Sequence, residues 1–393
     1  MRAFLLGALP CLLVAQAPPL SYDDILQRAR TSPEQLRAEA LLAERHRALG
    51  GTRGLLREGP ALGLSAGPRT QPGAPATTDR SVELDLPLFL SPAVRRDLAS
   101  ALGQADPALR EAARVEARFR LRQAYLDAWL AERLLQLRQA DLATVRTWLQ
   151  AARARLEAGA DPAFQVSLVE GEALRAQADL EEAHRQRLIA WAGLRSLAEV
   201  PAAPQPLGDP GDPGEPAAPA SEGLQARFEA GALRQALQRR LDLDRQTLRH
   251  QEALAASRWS LRGSYAREGE ERIGKVGLAY RFARPGEGQA LRRETETALQ
   301  AATRESESAL LDLDARFQSA LARLPLAAPI PFAAFDASLR AVGLRLSEGR
   351  ERPSEALPIR RQLLEAQAAS HRRAHAAHLL SAELQALTSG VTP

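Results

Sequence analysis

The chain has one cysteine, Cys11, among 393 residues. That excludes a disulfide framework and a thiolate metal site, and export past Cys11 would also remove the only thiol nucleophile. Aromatic residues are only 4%, so small aliphatic side chains must carry the packing, as in long helices. Lys275 is the only lysine, although Lys and Arg together number 52. The arginines alternate with acids at helical spacing, as in Arg114, Glu116, Arg118, Arg120 and Arg122, which describes a solvated helix face. The net charge of +4 therefore does not signal nucleic acid, and no aromatic-plus-basic platform for it is found. Past the first residues, no apolar run approaches the ~20 residues of a membrane helix. Any spanning part must then be a barrel. Nucleophile motifs, phosphate loops and two-carboxylate pockets are also missing, so the chain reads as no enzyme, with no cofactor.

What is present starts with a secretory signal over 1–17: Met1-Arg2, an apolar run from Ala3 to Val14, and Ala15-Gln16-Ala17 as an A-x-A site. Pro18 is unfavourable directly after that site, so the cut can lie elsewhere. A lipid anchor on Cys11 is the alternative, for which Ala8-Leu9-Pro10 is a poor lead-in.

The stretch from Arg155 to Leu197 then occurs twice, reappearing 190 positions on as Arg345 to Leu387 without a gap. Arg155, Leu156 and Gly159 fall on Arg345, Leu346 and Gly349, and Ala192, Leu194 and Leu197 on Ala382, Leu384 and Leu387. In each copy a helical run ends at a glycine, passes a proline-containing turn and enters a long Ala/Leu/Glu/Arg helix, the pattern of a helical hairpin tip. An internal repeat of this size sets the architecture.

The first repeat is expected over 18–200, with a β-hairpin at about 59–90 and a tip at about 156–165; 201–221 reads as a Pro/Gly-rich linker. The second is expected over 222–393, with a hairpin at about 259–283 and a tip at about 346–358. Before the first hairpin, Ser21 to about Leu56 reads as a helix broken at Ser32-Pro33, and before the second, Glu222 to about Ser257 reads as helical. A long helix starts at Ser91-Pro92, with a second start or kink at Asp106-Pro107. From Asp106 it spans on the order of 50 residues and ~80 Å. Its counterpart runs from about Gln289 to Leu324 and is broken by Pro325, Pro329 and Pro331.

The hairpins alternate with period two. Val82, Leu84, Leu86 and Leu88 point one way, and Ser81, Glu83 and Asp85 the other. Trp259, Leu261 and Tyr265, and then Val276, Leu278, Tyr280 and Phe282, alternate with Arg262, Lys275 and Arg281. Strands of about ten residues, apolar outward and polar inward with aromatics near the ends, suit an outer-membrane barrel. The apolar set is expected to face lipid, and Glu83, Asp85, Arg262, Lys275 and Arg281 the lumen; a slip of one residue would reverse the faces. Four strands cannot close a barrel and open edges are not tolerated in lipid, so several copies must share one. The alternative is two hairpins half-buried on a soluble core. Separately, His371, His375 and His378 share one helical face and are a candidate transition-metal site, against the plainer reading of a polar stripe.

Three motifs carry a family resemblance: Leu20-Ser21-Tyr22-Asp23-Asp24-Ile25-Leu26, Ala124-Tyr125-Leu126-Asp127-Ala128-Trp129-Leu130-Ala131, and Arg155-Leu156-Glu157-Ala158-Gly159 with its echo before Gly349. In the doubled order of helix, hairpin, helix and tip, the chain resembles the TolC family of outer-membrane efflux channels. The resemblance implies a homotrimer sharing a 12-stranded barrel, a helical periplasmic tunnel, and tips that meet a periplasmic adaptor and, through it, an inner-membrane pump. It implies an outer-membrane location in a Gram-negative bacterium and passive conduction in efflux or type I secretion. The tip residues it implies are Gly159, Asp161, Gln165, Gly349, Glu351, Glu355, Arg360 and Arg361. One departure is that the family's second tip usually carries two acids three apart, where this chain has Glu355 and Pro358. The rival readings are a periplasmic coiled-coil adaptor and a non-conducting structural relative.

Overall fold

A computed structural model describes residues 18–50, 61–69, 77–210, 221–256, 259–268, 271–282, 287–326, 333–347 and 350–390. The expected signal at 1–17 with Cys11, the tip residue Gly349, and Pro329 and Pro331 lie outside these residues.

Ser21 caps α1 (Tyr22–Gln27): its hydroxyl accepts from the Asp24 amide, and the Asp24 carboxylate accepts from the Ser21 amide. The break at Ser32-Pro33 is present. α2 (Pro33–Gly50) restarts on a second box, in which Ser32 Oγ accepts from the Gln35 amide at 3.2 Å and Gln35 Oε1 accepts from the Ser32 amide at 2.8 Å. β1 (Ala61–Arg69) and β2 (Thr77–Pro87) follow, then α3 (Pro92–Glu157) and its return, α4 (Ala163–Leu197). α3 is one helix of 66 residues that runs through Pro107. The kink expected there does not divide it: Pro107 is exposed, and so is Gly103, whose carbonyl is freed by the missing N–H and is open to water.

The second repeat contains α5 (Ser221–Glu229), α6 (Ala232–Ala256), β3 (Trp259–Glu268), β4 (Glu271–Tyr280), α7 (Glu287–Arg323), α8 (Ala333–Ser347) and α9 (Pro353–Thr388). Where Glu222 to Ser257 was expected to be helical, there are two helices. The Gly231 amide donates back to Phe228, the Ala232 amide leaves the helix to donate to Ser389 at 2.7 Å, and a Cβ on Gly231 would sit 2.6 Å from the Leu387 carbonyl oxygen. Only glycine fits that approach. The first repeat has the same splice, where the Arg30 amide donates to Leu197 at 2.9 Å after α1. The expected turn from Glu268 to Gly274 is shorter, because Gly274 is in the ladder opposite Tyr265.

The chain forms two compact units, each drawing on both repeats: residues 1–31, 118–217 and 323–383 in one, and 32–117, 218–322 and 384–393 in the other. In the first unit Ile25, Leu121, Tyr125, Leu126, Trp129, Trp191 and Leu194 form a core, and Leu142, Val145, Trp148, Val166, Val169, Ala356 and Leu357 a second. Each fully buried Leu or Val is worth about 1.5–3 kcal/mol. Residues 201–210, expected as linker, are strapped here. Leu20 donates to Pro206 at 3.0 Å, Gly208 donates back to Leu20 at 2.9 Å, and the Tyr125 hydroxyl donates to Gly208 at 2.7 Å. In the second unit Leu42, Leu98, Leu102, Ala105 and Leu243 are buried together, and Phe228 stacks on Phe317 at 4.2 Å. Here too the four strands form one antiparallel sheet in the order β1-β2-β3-β4.

Candidate functional site: a two-faced sheet and two hairpin tips

The register decides the faces. Leu64 pairs with Val82, Val82 with Tyr265 and Tyr265 with Gly274; Leu86 pairs with Leu261 and Leu261 with Leu278; Trp259 pairs with Tyr280. Directly opposed residues share a face, so Val82, Leu84, Leu86, Trp259, Leu261, Tyr265, Val276, Leu278 and Tyr280 lie on one side. The other side carries Glu83, Asp85, Arg262 and Lys275. There Arg262 Nε meets Asp85 Oδ2 at 3.1 Å, and the Ser65 and Ser81 hydroxyls meet at 2.7 Å. A cavity of about 650 Å³ is lined in part by Glu83, Asp85, Arg262, Ser264 and Lys275. Leu88, Arg281 and Phe282 fall just past the strands, although the Leu88 amide still donates to Trp259 at 2.8 Å. The apolar face is bare: Leu64 is 73% and Val276 82% exposed. A bare apolar face of this extent marks a surface made for an apolar partner. Among the described residues, β1 and β4 end the sheet, each paired on one side only.

In the first unit the two tips repeat each other in detail. Gly159 has φ +71, its amide donates to Leu156 at 2.9 Å, and the Ala160 amide donates to Arg155 at 2.8 Å. This is a Schellman ending, which requires the left-handed residue that glycine supplies. The same bond in the second tip runs from Arg350 to Arg345 at 2.8 Å. Each tip adds an ion pair at the same spacing, Arg155 to Asp161 at 3.0 Å and Arg345 to Glu351 at 3.3 Å. Glu355 is exposed.

Two expected tip residues are interior instead. Gln165 is buried and bonded to Ser354, accepting from its amide at 3.3 Å. Arg360 is 2% exposed; its guanidinium grips Asp141 of α3 at 2.7 and 2.6 Å and Glu172 of α4 at 2.8 Å. Arg361 reaches the same Glu172 carboxylate from the surface. Bidentate, charge-assisted bonds compensate the desolvation of these ions. Burial raises the Glu172 pKa, but hydrogen bonds from Arg361 and Arg360 outweigh it and the carboxyl ends below its ordinary range. Asp141 goes the other way: burial raises it, and the attraction of Arg360 only partly offsets that. Asp141 and Glu172 were not anticipated. The available signal was that each charge interrupts an apolar stripe: Asp141 ahead of Val145, Trp148 and Ala152, Glu172 between Val169 and Ala176, and Arg360 between Ala356 and Leu364.

The histidine stripe does not converge. His375 Nε2 meets Asp127 Oδ1 at 2.8 Å, while His378 is buried edge-on to Trp129 with ring centroids 5.8 Å apart. Among the described residues no group of three or more His, Cys, Asp or Glu side chains is placed to hold a metal ion.

A two-faced sheet of four strands, joined in sequence to long helical hairpins with matching tips, defines the class: a TolC-like outer-membrane channel fold. The comparisons agree. Residues 57–198 match the family model described as outer membrane efflux protein. The chain is similar in structure to the CmeC outer membrane channel of Campylobacter jejuni, at 14% identity and a TM-score of 0.71, covering 94% of this chain and 85% of that one. It is also similar to VceC of Vibrio cholerae, at 16% identity and 0.66 over 94% and 96% of the chains. MtrE of Neisseria gonorrhoeae gives 20% identity and 0.60 over 94% and 88%. No curated protein matches the chain.

Proposed function

We propose that the chain is one protomer of an outer-membrane exit duct of an efflux or type I secretion system, conducting substrates passively to the exterior. The observation that carries this reading is the sheet: one face holds an exposed apolar band, the other is charged, and among the described residues β1 and β4 are each paired on one side only. In lipid every backbone polar group must be paired, so the β4 edge of one copy takes the β1 edge of the next. Three copies of the 4-stranded sheet give twelve strands, a normal size for such barrels. Glu83, Asp85, Arg262 and Lys275 then line the lumen, with Arg281 at its periplasmic rim, and the apolar set faces lipid. The tips around Gly159, Asp161, Gly349, Glu351 and Glu355 take a periplasmic adaptor and, through it, an inner-membrane pump. Because Arg360 and Arg361 are matched by Asp141 and Glu172, they add no net charge to that mouth.

The test is membrane fractionation with mild-detergent extraction and native mass determination. Outer-membrane material at three protomers is expected. A soluble periplasmic monomer overturns the reading and makes the hairpins part of a helical scaffold.

A further inference from the structure

The register aligns three arginines that lie far apart in sequence. Arg80 of β2 pairs with Arg267 of β3, and Arg267 pairs with Arg272 of β4, so the three side chains form a row across neighbouring strands. All three are exposed. Their face is the apolar one: the next row in is Leu64, Val82, Tyr265 and Gly274, and β1 continues the arginine row with Ala66. Asp79 and Glu271, next to the arginines in sequence, alternate to the opposite face. Like charges opposed across neighbouring strands are an unusual arrangement, and the position of this row in the sheet gives it a use.

The row lies at the hairpin-turn end of the sheet, one step beyond Tyr265; the apolar band ends at Trp259 and Tyr280 on the side where the helices leave. From Arg272 to Tyr280 is eight residues, or about 27 Å along a strand, and about 20 Å of height at the usual tilt. With Trp259 and Tyr280 at one edge of an apolar band of about 25 Å, the arginines lie toward the opposite edge, within reach of the headgroups for long side chains that snorkel. Guanidinium is the cation suited to paired bonds with phosphate oxygens.

We propose that Arg80, Arg267 and Arg272 form a binding row for phosphate-bearing lipid headgroups of the outer leaflet. The inference rests on the reading of the sheet as a barrel wall with its apolar face in lipid. A headgroup with two phosphates bridges neighbouring arginines, while its acyl chains run along Val82, Leu84 and Leu278.

The experiment uses the full-length channel in mild detergent, with native mass spectrometry and melting temperature as readouts. Its arms are bis-phosphorylated lipid A, dephosphorylated lipid A and inorganic phosphate. The expected result is retention of bis-phosphorylated lipid A and a raised Tm, at least a tenfold weaker effect of the dephosphorylated lipid, and none of inorganic phosphate. The R80Q/R267Q/R272Q variant should lose the preference, and the triple Arg→Lys variant should keep part of it. An intact membrane oligomer that binds both lipids equally overturns the arginine row and leaves the channel reading standing. An equal response to inorganic phosphate overturns the lipid assignment. Failure to find the protein in the outer membrane as an oligomer overturns both readings, and the extraction itself shows which case applies.

Discussion

Arg360 shows how much one side chain holds together. It joins α3, α4 and α9 of the first unit through Asp141 and Glu172, and all three charges are desolvated. Removing one member of such a set strands the others, at a cost of about 3–5 kcal/mol. Arg360→Met is therefore expected to lower stability by that amount in denaturant titration of the detergent-solubilised protein, and adding Asp141→Asn should recover part of the loss. Glu172 supplies a pH signature. Its folded pKa lies below the ordinary value of 4.5, so its contribution is complete above that value and is lost as pH falls through the folded one. Glu172→Gln should flatten the acid limb of the stability profile below about pH 4.5, and an unchanged limb would remove Glu172 from this role. These partners could not be paired from sequence, because Arg360 lies 219 positions from Asp141 and 188 from Glu172. The interrupted apolar stripes were visible, but three helices had to be brought together before the charges could find each other.

Among the elements, the strands were the most legible and the helix joints the least. Alternation from Val82 to Leu88 and from Val276 to Tyr280 fixes two faces within a hairpin, because side chains flip with period two. The pairing of β2 with β3, which sets one repeat's face against the other's, depends on tertiary contact and had no sequence signal. The split between α5 and α6 depends on Gly231 meeting the Leu387 carbonyl oxygen, again a contact across the chain. Within the sheet the two faces predict opposite tolerances. Leu278→Arg on the apolar face should destabilise the membrane-inserted form by about 2–4 kcal/mol, while Ser264→Arg on the charged face should cost under about 1 kcal/mol. Equilibrium refolding into lipid vesicles measures both, and equal costs would mean that the faces are not exposed to lipid and water as described.

For the whole molecule, completion of the sheet by other copies at the β1 and β4 edges, as proposed, makes stability depend on association. A protein whose folded sheet is completed by other copies has a melting temperature that rises with protein concentration. That rise is expected over a dilution series in mild detergent, and a concentration-independent Tm would show that each chain is complete alone. The doubled tips, with matching bonds from Ala160 to Arg155 and from Arg350 to Arg345, were readable at this scale from the stretch that recurs 190 positions on in the sequence.

The bond ladder between β2 and β3 has a consequence for assembly. It joins the hairpin of one repeat to that of the other within a single polypeptide. In a ring built from such chains, every second junction between hairpins is made during folding, at the high effective concentration of a tethered pair. Only the remaining junctions wait for diffusion. Duplication of an ancestral hairpin unit would thus have halved the number of encounters needed to close the ring, and left each of its two kinds of seam free to diverge.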